Sequence, residues 1–442
     1  MASTDLTPTP AAERIASIDV LRGVAVLGIL GMNIVSFGLP AVAYGDPTVA
    51  GGAAGADRAV WFLGQLFVEG KMRTIFSMLF GAGVVLLTGR AEARGAAAGS
   101  ADIYYRRTLW LIVFGLLHAY LLWAGDILYG YGVAGLFLYP FRRQAPSFLI
   151  TAGALVLALL IPLNIFEGRR IEDLRSQAGQ ADSDLAAGRT LSREQQDARD
   201  EWREELDAMK PPADAIAREI ADHRAGYWTT FERRREHIWE GESSGAYKFG
   251  FLDAAGMMLI GMGLLKLDLF SARRDLRFYA LTALAGYGTG LPLSLYITWR
   301  DWAHRFDPAQ SYYGYSGYDV ARLCVALGHI AVVMLICKAA VLRRLTARLA
   351  AAGRMALTNY LGASVVCVLL FDGVGLGWFG RLGRAQLLYV MLAIWTAQLL
   401  FSPVWLHHFR FGPMEWLWRS LTHWRLQPMR PAVSDPPAAA PT

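Results

Sequence analysis

Ile18-Asp19-Val-Leu-Arg22-Gly-Val-Ala-Val-Leu-Gly28-Ile-Leu-Gly31-Met-Asn33-Ile-Val-Ser-Phe-Gly-Leu39 carries charge only at Asp19 and Arg22, near its start. Coiled as an α-helix it is long enough to cross the ~30 Å hydrocarbon core of a bilayer. Comparable apolar runs follow at 59–88, 103–123, 126–140, 147–165, 247–266, 277–297, 319–340, 355–376 and 386–406. The whole chain agrees: of 442 residues 54% are hydrophobic and only 18% charged, and the mean hydropathy is +0.30. That composition excludes disordered, collagen-like and small disulfide-stapled classes. The expected fold is all-α: a polytopic helical membrane protein with about ten transmembrane helices and one helical extramembrane insert. A cleaved leader is the alternative for the first run, since Arg14 precedes it and Ala41-Val42-Ala43 has small-residue cleavage character. Its length favours a retained span.

Two of the runs have irregular features. The run at 59–88 is too long for one crossing and is interrupted by Glu69-Gly70-Lys71, which predicts two half-helices. The run at 126–140 is short and rich in glycine, so it is expected to be tilted or partly re-entrant. Small residues at Gly28/Gly31 and Gly256/Gly261/Gly263 would let helices approach closely.

The net charge of +6 is dispersed over the connections between apolar runs, so it reads as an orientation signal and not as a nucleic-acid stripe. Basic clusters fall at Arg90/Arg94/Arg106/Arg107, Arg142/Arg143, Lys266/Arg273/Arg274/Arg277, Lys338/Arg343/Arg344/Arg348/Arg354 and Arg410/Arg419/Arg425. With ten spans all lie on one side. The expected location is the bacterial inner membrane, with both termini cytoplasmic.

The chain divides into an N-terminal membrane half (1–165), a hydrophilic insert expected in the periplasm (166–246), a C-terminal membrane half with an interfacial segment (247–427), and a Pro-rich tail (428–442) expected to be disordered. Within the insert, Asp197–Met209 and Asp214–His237 read as helices of an antiparallel hairpin separated by Pro211-Pro212. Cys324, Cys337 and Cys367 lie in apolar stretches with no ligand spacing, so neither metal nor disulfide is expected.

Ionisable groups inside spans are costly and are functional candidates by default. Asp19 and Arg22 share a helix face at i,i+3, as an interfacial ion pair or a ligand contact. Asn33 offers an amide to a substrate or to a neighbouring helix. Glu69, Lys71 and Arg73 would need pairing or a water-filled cavity, with Glu69 and Arg73 expected on one face at i,i+4. His118, above the turn at Gly125-Asp126, is a candidate general base with Asp126 as its orienting carboxylate. Asp253 is a second orienting acid or a partner for an arginine. Tyr287, Thr289, Ser294 and Tyr296 line the seventh span, where backbone bonding is the default. The segment Phe409–Arg419 alternates aromatic and basic residues and reads as an interfacial anchor. No P-loop, dinucleotide fold, HExxH or GxSxG pattern occurs.

The stretch from Arg14 through Asp19, Arg22-Gly23 and Asn33 resembles the opening of the YeiB-type bacterial membrane proteins. Glu69-Gly70-Lys71 with Thr74-Ile75-Phe76-Ser77 is similar to the next block of that family, as is His118 with Gly125-Asp126. So are Gly353-Arg354 with Thr358-Asn359-Tyr360, and Phe409 to Arg419. The resemblance covers nearly the whole chain outside 166–246. More distantly the first span resembles transmembrane acyltransferases, including heparan-α-glucosaminide N-acetyltransferase and enzymes that O-acylate surface polysaccharides. Those relatives carry a histidine at the outer end of the first span; here that position has none, and His118 on the third span would take its place.

The resemblance implies transfer of an acyl group from cytoplasmic acyl-CoA to a hydroxyl or amine of a sugar or lipid-linked glycan at the outer face. Arg22, Arg106 and Arg107 would meet the phosphates of acyl-CoA. His118 and Asp126 would deprotonate the acceptor, and Asn33, Glu69, Lys71, Arg73 and Asp253 would line the substrate path. The alternatives are a transporter or flippase built on the Glu69/Lys71/Arg73 cluster, and a non-catalytic scaffold or sensor using the insert. The bilayer and the acceptor are the expected partners, nucleic acid is not, and homo-oligomerisation is left open.

Overall fold

The structure is a computed structural model and describes residues 15–93, 97–243 and 246–430. Arg14, Arg94 and the tail from 431 lie outside the described residues. Among those described, no strand occurs.

In chain order the helices are α1 (Ala16–Gly38), α2 (Gly55–Phe67), α3 (Lys71–Ala93), α4 (Ala97–Leu121), α5 (Leu128–Leu136), α6 (Pro146–Ala158) and α7 (Leu160–Ala186). These are followed by α8 (Arg193–Met209), α9 (Ala213–Ala225), α10 (Tyr227–Ser243), α11 (Ala246–Lys266), α12 (Leu276–Ala303) and α13 (Pro308–Lys338). The last are α14 (Arg343–Arg354), α15 (Ala356–Phe371), α16 (Arg384–His408) and α17 (Pro413–His423).

Six stretches are long and apolar enough to cross a membrane: α1, α2–α3, α6–α7, the 249–266 part of α11, α13 and α16. The pair α14–α15, bent by 84° at Met355, makes a seventh. On length and composition the described residues therefore give six or seven crossings where about ten were expected. The remaining runs fall on α4, α5 and α12. With nine residues at 1.5 Å each, α5 spans only ~14 Å and cannot cross alone.

The innermost helix is α1, packed on α3, α13, α14, α15 and α16. Leu21 and Ala25 have no exposed surface. Between lipid-embedded helices, close van der Waals packing replaces the hydrophobic drive. The α3–α11 contact depends on it: a Cβ on Gly261 would lie 2.1 Å from the Met78 carbonyl oxygen.

The expected half-helices are α2 and α3, parted at Gly70, whose φ of +68° is open to glycine at no steric cost. The insert is helical, with a different arrangement from the expected hairpin. Its boundary at 166 lies inside α7, which runs out of the membrane without a loop. The Asp214–His237 helix is broken at Gly226, where φ is +142°. Consequently α8 pairs with α7, through Arg170 to Glu201 at 2.9 Å and Arg199 to Asp182 at 2.6 Å, while α9 folds back on α10.

The insert roofs one end of the bundle. Glu219 accepts from the Ala41 N–H at 2.9 Å, Tyr227 donates to the Leu121 carbonyl at 2.9 Å, and the His223 carbonyl accepts from the Gly373 N–H at 2.7 Å. The basic clusters gather at the other end, tied by Lys266 to the Gln144 carbonyl (2.6 Å), Arg143 to Glu92 (2.9 Å) and Trp418 to the Arg107 carbonyl (2.9 Å).

Candidate functional site

His118 sits in the last turn of α4, and Asp126 lies in the short link to α5. The two helices are antiparallel neighbours, and Gly115 allows it: a Cβ there would stand 2.2 Å from the Tyr129 nitrogen and 2.8 Å from an Asp126 oxygen. At this separation Asp126 Oδ1 meets His118 Nδ1 at 2.8 Å, and Asp126 Oδ2 accepts from the Tyr129 N–H at 2.7 Å. The expected pair is therefore formed. The other ring nitrogen, Nε2, meets Ser364 Oγ of α15 at 2.8 Å. His118 and Ser364 are each only 2% exposed.

An ionised Asp126 only accepts, so Nδ1 carries the proton and a neutral imidazole accepts from the Ser364 hydroxyl at Nε2. When the ring is protonated, Nε2 donates to Ser364 Oγ, and that hydroxyl turns to the Tyr360 carbonyl, 3.3 Å away. Both protonation states are satisfied, which is what a proton-transfer group in a dry site requires. Because both ring nitrogens are engaged, the hydroxyl through which this imidazole can exchange a proton is that of Ser364, which is itself buried one helical turn beyond Tyr360.

Trp123 packs 6.3 Å from the His118 ring centroid and stacks on Phe37 of α1 at 4.5 Å. Asn33, one turn before Phe37, shares that face and makes no side-chain hydrogen bond among the described residues. The insert closes over this end: Arg234 donates to the Tyr120 carbonyl at 3.3 Å. Arg234 also lies 3.9 Å from Asp372, and His223 stacks on Phe379 while meeting Asp372 at 3.0 Å. Burial lowers the pKa of Arg234 from its ordinary value, and Asp372 and Tyr227 only partly offset this.

A cavity of about 360 Å³ opens from the basic end, within the range of small-molecule sites. Arg22, Arg107, Arg354, Arg410 and Arg419 line it with Asp19, Glu415 and Trp418. Arg22 holds the expected bond to Asp19, at 2.8 Å, and Arg107 lies over the Trp418 ring at 3.8 Å. Arg106 is not among the lining residues. One step along α4 rotates it about 100° away, and it pairs with Asp102 instead. The segment Phe409–Arg419, expected only to anchor, supplies a wall of the cavity. Glu415 accepts from the Leu357 and Thr358 N–H groups at 2.7 and 3.1 Å and from the Thr358 hydroxyl at 2.6 Å, capping the start of α15. Its pKa is raised by burial, against these hydrogen bonds.

The deep wall is Leu128, Tyr131 and Tyr360. The Tyr360 ring centroid is 5.1 Å from that of His118, and its buried hydroxyl has no hydrogen-bond partner among the described residues. Tyr131 bonds to Ser77 at 2.5 Å and donates to the Arg73 carbonyl at 3.1 Å.

Behind Tyr131 lies a second polar group. Arg322 of α13, 1% exposed, bonds to Asp319 at 2.9 Å, to Thr74 at 3.2 Å, and bidentately to Asp253. Arg73 reaches the same carboxylate at 3.4 Å, so Asp253 is an arginine partner. Glu69 does not join Arg73. It stands in the break before α3, where helical i,i+4 spacing does not apply, and accepts from Tyr318 at 2.6 Å. Lys71 donates to the Gln65 carbonyl at 2.6 Å. The Arg73 side chain remains 43% accessible, so an opening adjoins the cluster.

The seventh-span hydroxyls do not form one site. Tyr287 meets His329 at 2.7 Å, Tyr296 faces outward, and buried Ser294 has no partner among the described residues. No group of three or more His, Cys, Asp or Glu side chains able to hold a metal occurs among the described residues.

Sequence reasoning missed Ser364, Tyr360 and Arg322. The last had a signal, since Asp319-Val-Ala-Arg322 repeats within a span the i,i+3 spacing of Asp19 and Arg22. Ser364 had none.

Residues 264–425 match a family model described as "Protein of unknown function (DUF418)". The chain is 32% identical over 426 residues to the Escherichia coli K12 protein named YeiB, covering 96% of this chain and 99% of that one. It is 28% identical over 445 residues to YxaH of Bacillus subtilis 168, covering 96% and 98%. Both relatives are described as uncharacterized. No solved structure matches.

Proposed function

The chain belongs to the YeiB family of membrane proteins, and from that premise we propose that it is an integral-membrane acyltransferase of the bacterial inner membrane. It takes an acyl group from acyl-CoA at the basic, cytoplasmic end, where both termini lie. It delivers the group to a hydroxyl or amine of a sugar or lipid-linked glycan under the periplasmic insert. One observation carries this reading: a cavity whose mouth is lined by Arg22, Arg107, Arg354, Arg410 and Arg419 ends at Tyr360, in ring contact with His118. Guanidinium groups suit phosphate, and the Asp–His pair behind Tyr360 supplies acid–base chemistry.

Calorimetry of acetyl-CoA with the detergent-purified protein tests the donor half. Saturable binding that weakens in Arg22→Ala supports the reading; no binding of acetyl-CoA or longer acyl-CoAs by folded protein removes it. A transporter is the second reading, favoured by the helix break at Gly70 beside the accessible Arg73, since interrupted helices often form midplane sites. Proton- or sodium-dependent uptake into proteoliposomes, without acyl-CoA binding, would select it.

A further inference from the structure

Resting on the acyltransferase reading, we propose that Ser364 is the acyl carrier: the acyl group is held as an ester on Ser364 Oγ between donor and acceptor. Asp126, His118 and Ser364 form a continuous chain of 2.8 Å contacts, the constellation that activates a serine hydroxyl in unrelated folds. While Ser364 is a free hydroxyl, both nitrogens of His118 are bonded and the proton that Nε2 can take is that of Ser364; once Oγ is an ester, Nε2 is released to an outside acceptor. The Ser364 Oγ is closer to His118 Nε2, at 2.8 Å, than to its own-helix carbonyl at Tyr360, at 3.3 Å, so the histidine is the better placed acceptor. The cavity ends at Tyr360, one helical turn before Ser364 on the same face of α15. The Tyr360 hydroxyl has no partner among the described residues. Its O–H proton is available to the carbonyl oxygen of an arriving thioester.

The step balances without a further reactant. Ser364 Oγ attacks the thioester carbonyl carbon as His118 Nε2 takes the hydroxyl proton. The carbon–sulfur bond breaks, and the departing sulfur takes that proton to leave as the CoA thiol. In the second half the acceptor hydroxyl or amine attacks the ester carbon while losing a proton to Nε2. The bond to Ser364 Oγ breaks, and the serine recovers the proton. A carrier of this kind separates a donor that enters at one end from an acceptor that enters at the other.

The test is exchange of labelled CoA into acetyl-CoA by the full-length detergent-purified protein with no acceptor present, alongside acetyl-CoA calorimetry. The wild type should exchange label and yield an acetylated peptide containing Ser364. Ser364→Ala should lose exchange by ~10³-fold or more while binding acetyl-CoA as the wild type does, and Ser364→Cys should keep exchange through a thioester. Undiminished exchange in Ser364→Ala, or no exchange by wild type that binds acetyl-CoA, overturns the carrier and leaves the acyltransferase reading standing. Absence of binding by folded wild type overturns both.

Discussion

Two buried polar groups lie on either side of Tyr131 and Tyr360, and they are built from opposite materials. Around Arg322 every basic group is a guanidinium or an ammonium: Arg322 and Arg73 share Asp253, Asp319 binds Arg322, and Lys71 lies close by. Guanidinium does not give up its proton in a protein, so the two arginines of this group hold fixed charge. Around His118 the members are an imidazole, a hydroxyl and one carboxylate, and the proton has two satisfied positions. The lesson is a division of labour: the first group fixes helices α3, α11 and α13 and presents Arg73 to an opening, and the second can move protons. Fixed charges make a frame, while exchangeable protons make chemistry.

The comparison breaks most readily at His118. His118→Ala should abolish acyl transfer in a protein that still folds, with a melting temperature in detergent lowered by the cavity and by the loss of the ring's bond to the buried Asp126 carboxylate. Transfer that survives the change would remove the proton role assigned to this group. Asp126→Asn keeps the shape and releases the tautomer, and should slow transfer by about 10³–10⁴-fold. Measured at saturating acyl-CoA, that loss should lie in turnover and not in binding.

On the other side, Arg322→Ala strands Asp319 and leaves Asp253 with Arg73 alone, and should cost about 3–5 kcal/mol of stability, read as a large fall in melting temperature or in folded yield. If this variant stayed folded and lost only transfer, the frame would belong to the chemistry. At the cavity mouth, Arg22→Ala and Arg107→Ala should each weaken acyl-CoA binding about tenfold, or ~1.4 kcal/mol, whereas Arg106→Ala should leave it unchanged. Equal losses from all three would mean that general positive charge, and not the cavity, binds the donor.

The smallest effect is expected at a charge pair outside both groups, between the insert's Arg175 and Asp307 at the start of α13. Burial alone would raise the pKa of Asp307, but the Arg175 hydrogen bond at 2.7 Å and the Gln310 N–H bring it below its ordinary value. A carboxyl lowered in this way contributes stability in full above its unfolded pKa of ~3.9, and loses it as pH falls through the lowered folded value. The pair is partly exposed, so Asp307→Asn should cost under ~1 kcal/mol, and the difference from wild type should vanish in strong acid.

Legibility followed the range of the interaction. The ion pair of Asp19 with Arg22 and the break at Gly70 are local, and both could be read from spacing. The pairing of His118 with Asp126 was also within reach, because the link between their helices is short and forces them to be neighbours. Glu69 misled because the i,i+4 rule assumes an unbroken helix and Gly70 interrupts it. Arg106 misled because adjacent residues point about 100° apart, and only the docking of α17 on α4 selects Arg107 for the cavity. The insert's second helix was drawn through Gly226, although a glycine in a polar helix is a natural place to turn.

By itself the sequence determined that this is an all-helical protein of the membrane with a polar helical insert, and that its charged residues inside apolar runs need partners. Those properties rest on run length, composition and backbone hydrogen bonding, which each segment carries in its own residues. Only the tertiary structure decided which partners they have. Ser364 meets His118 across 246 positions of chain, and Arg322 meets Asp253 across 69. Both contacts depend on how far each helix is rotated and where its neighbours touch, a property of the packed bundle that no single segment encodes.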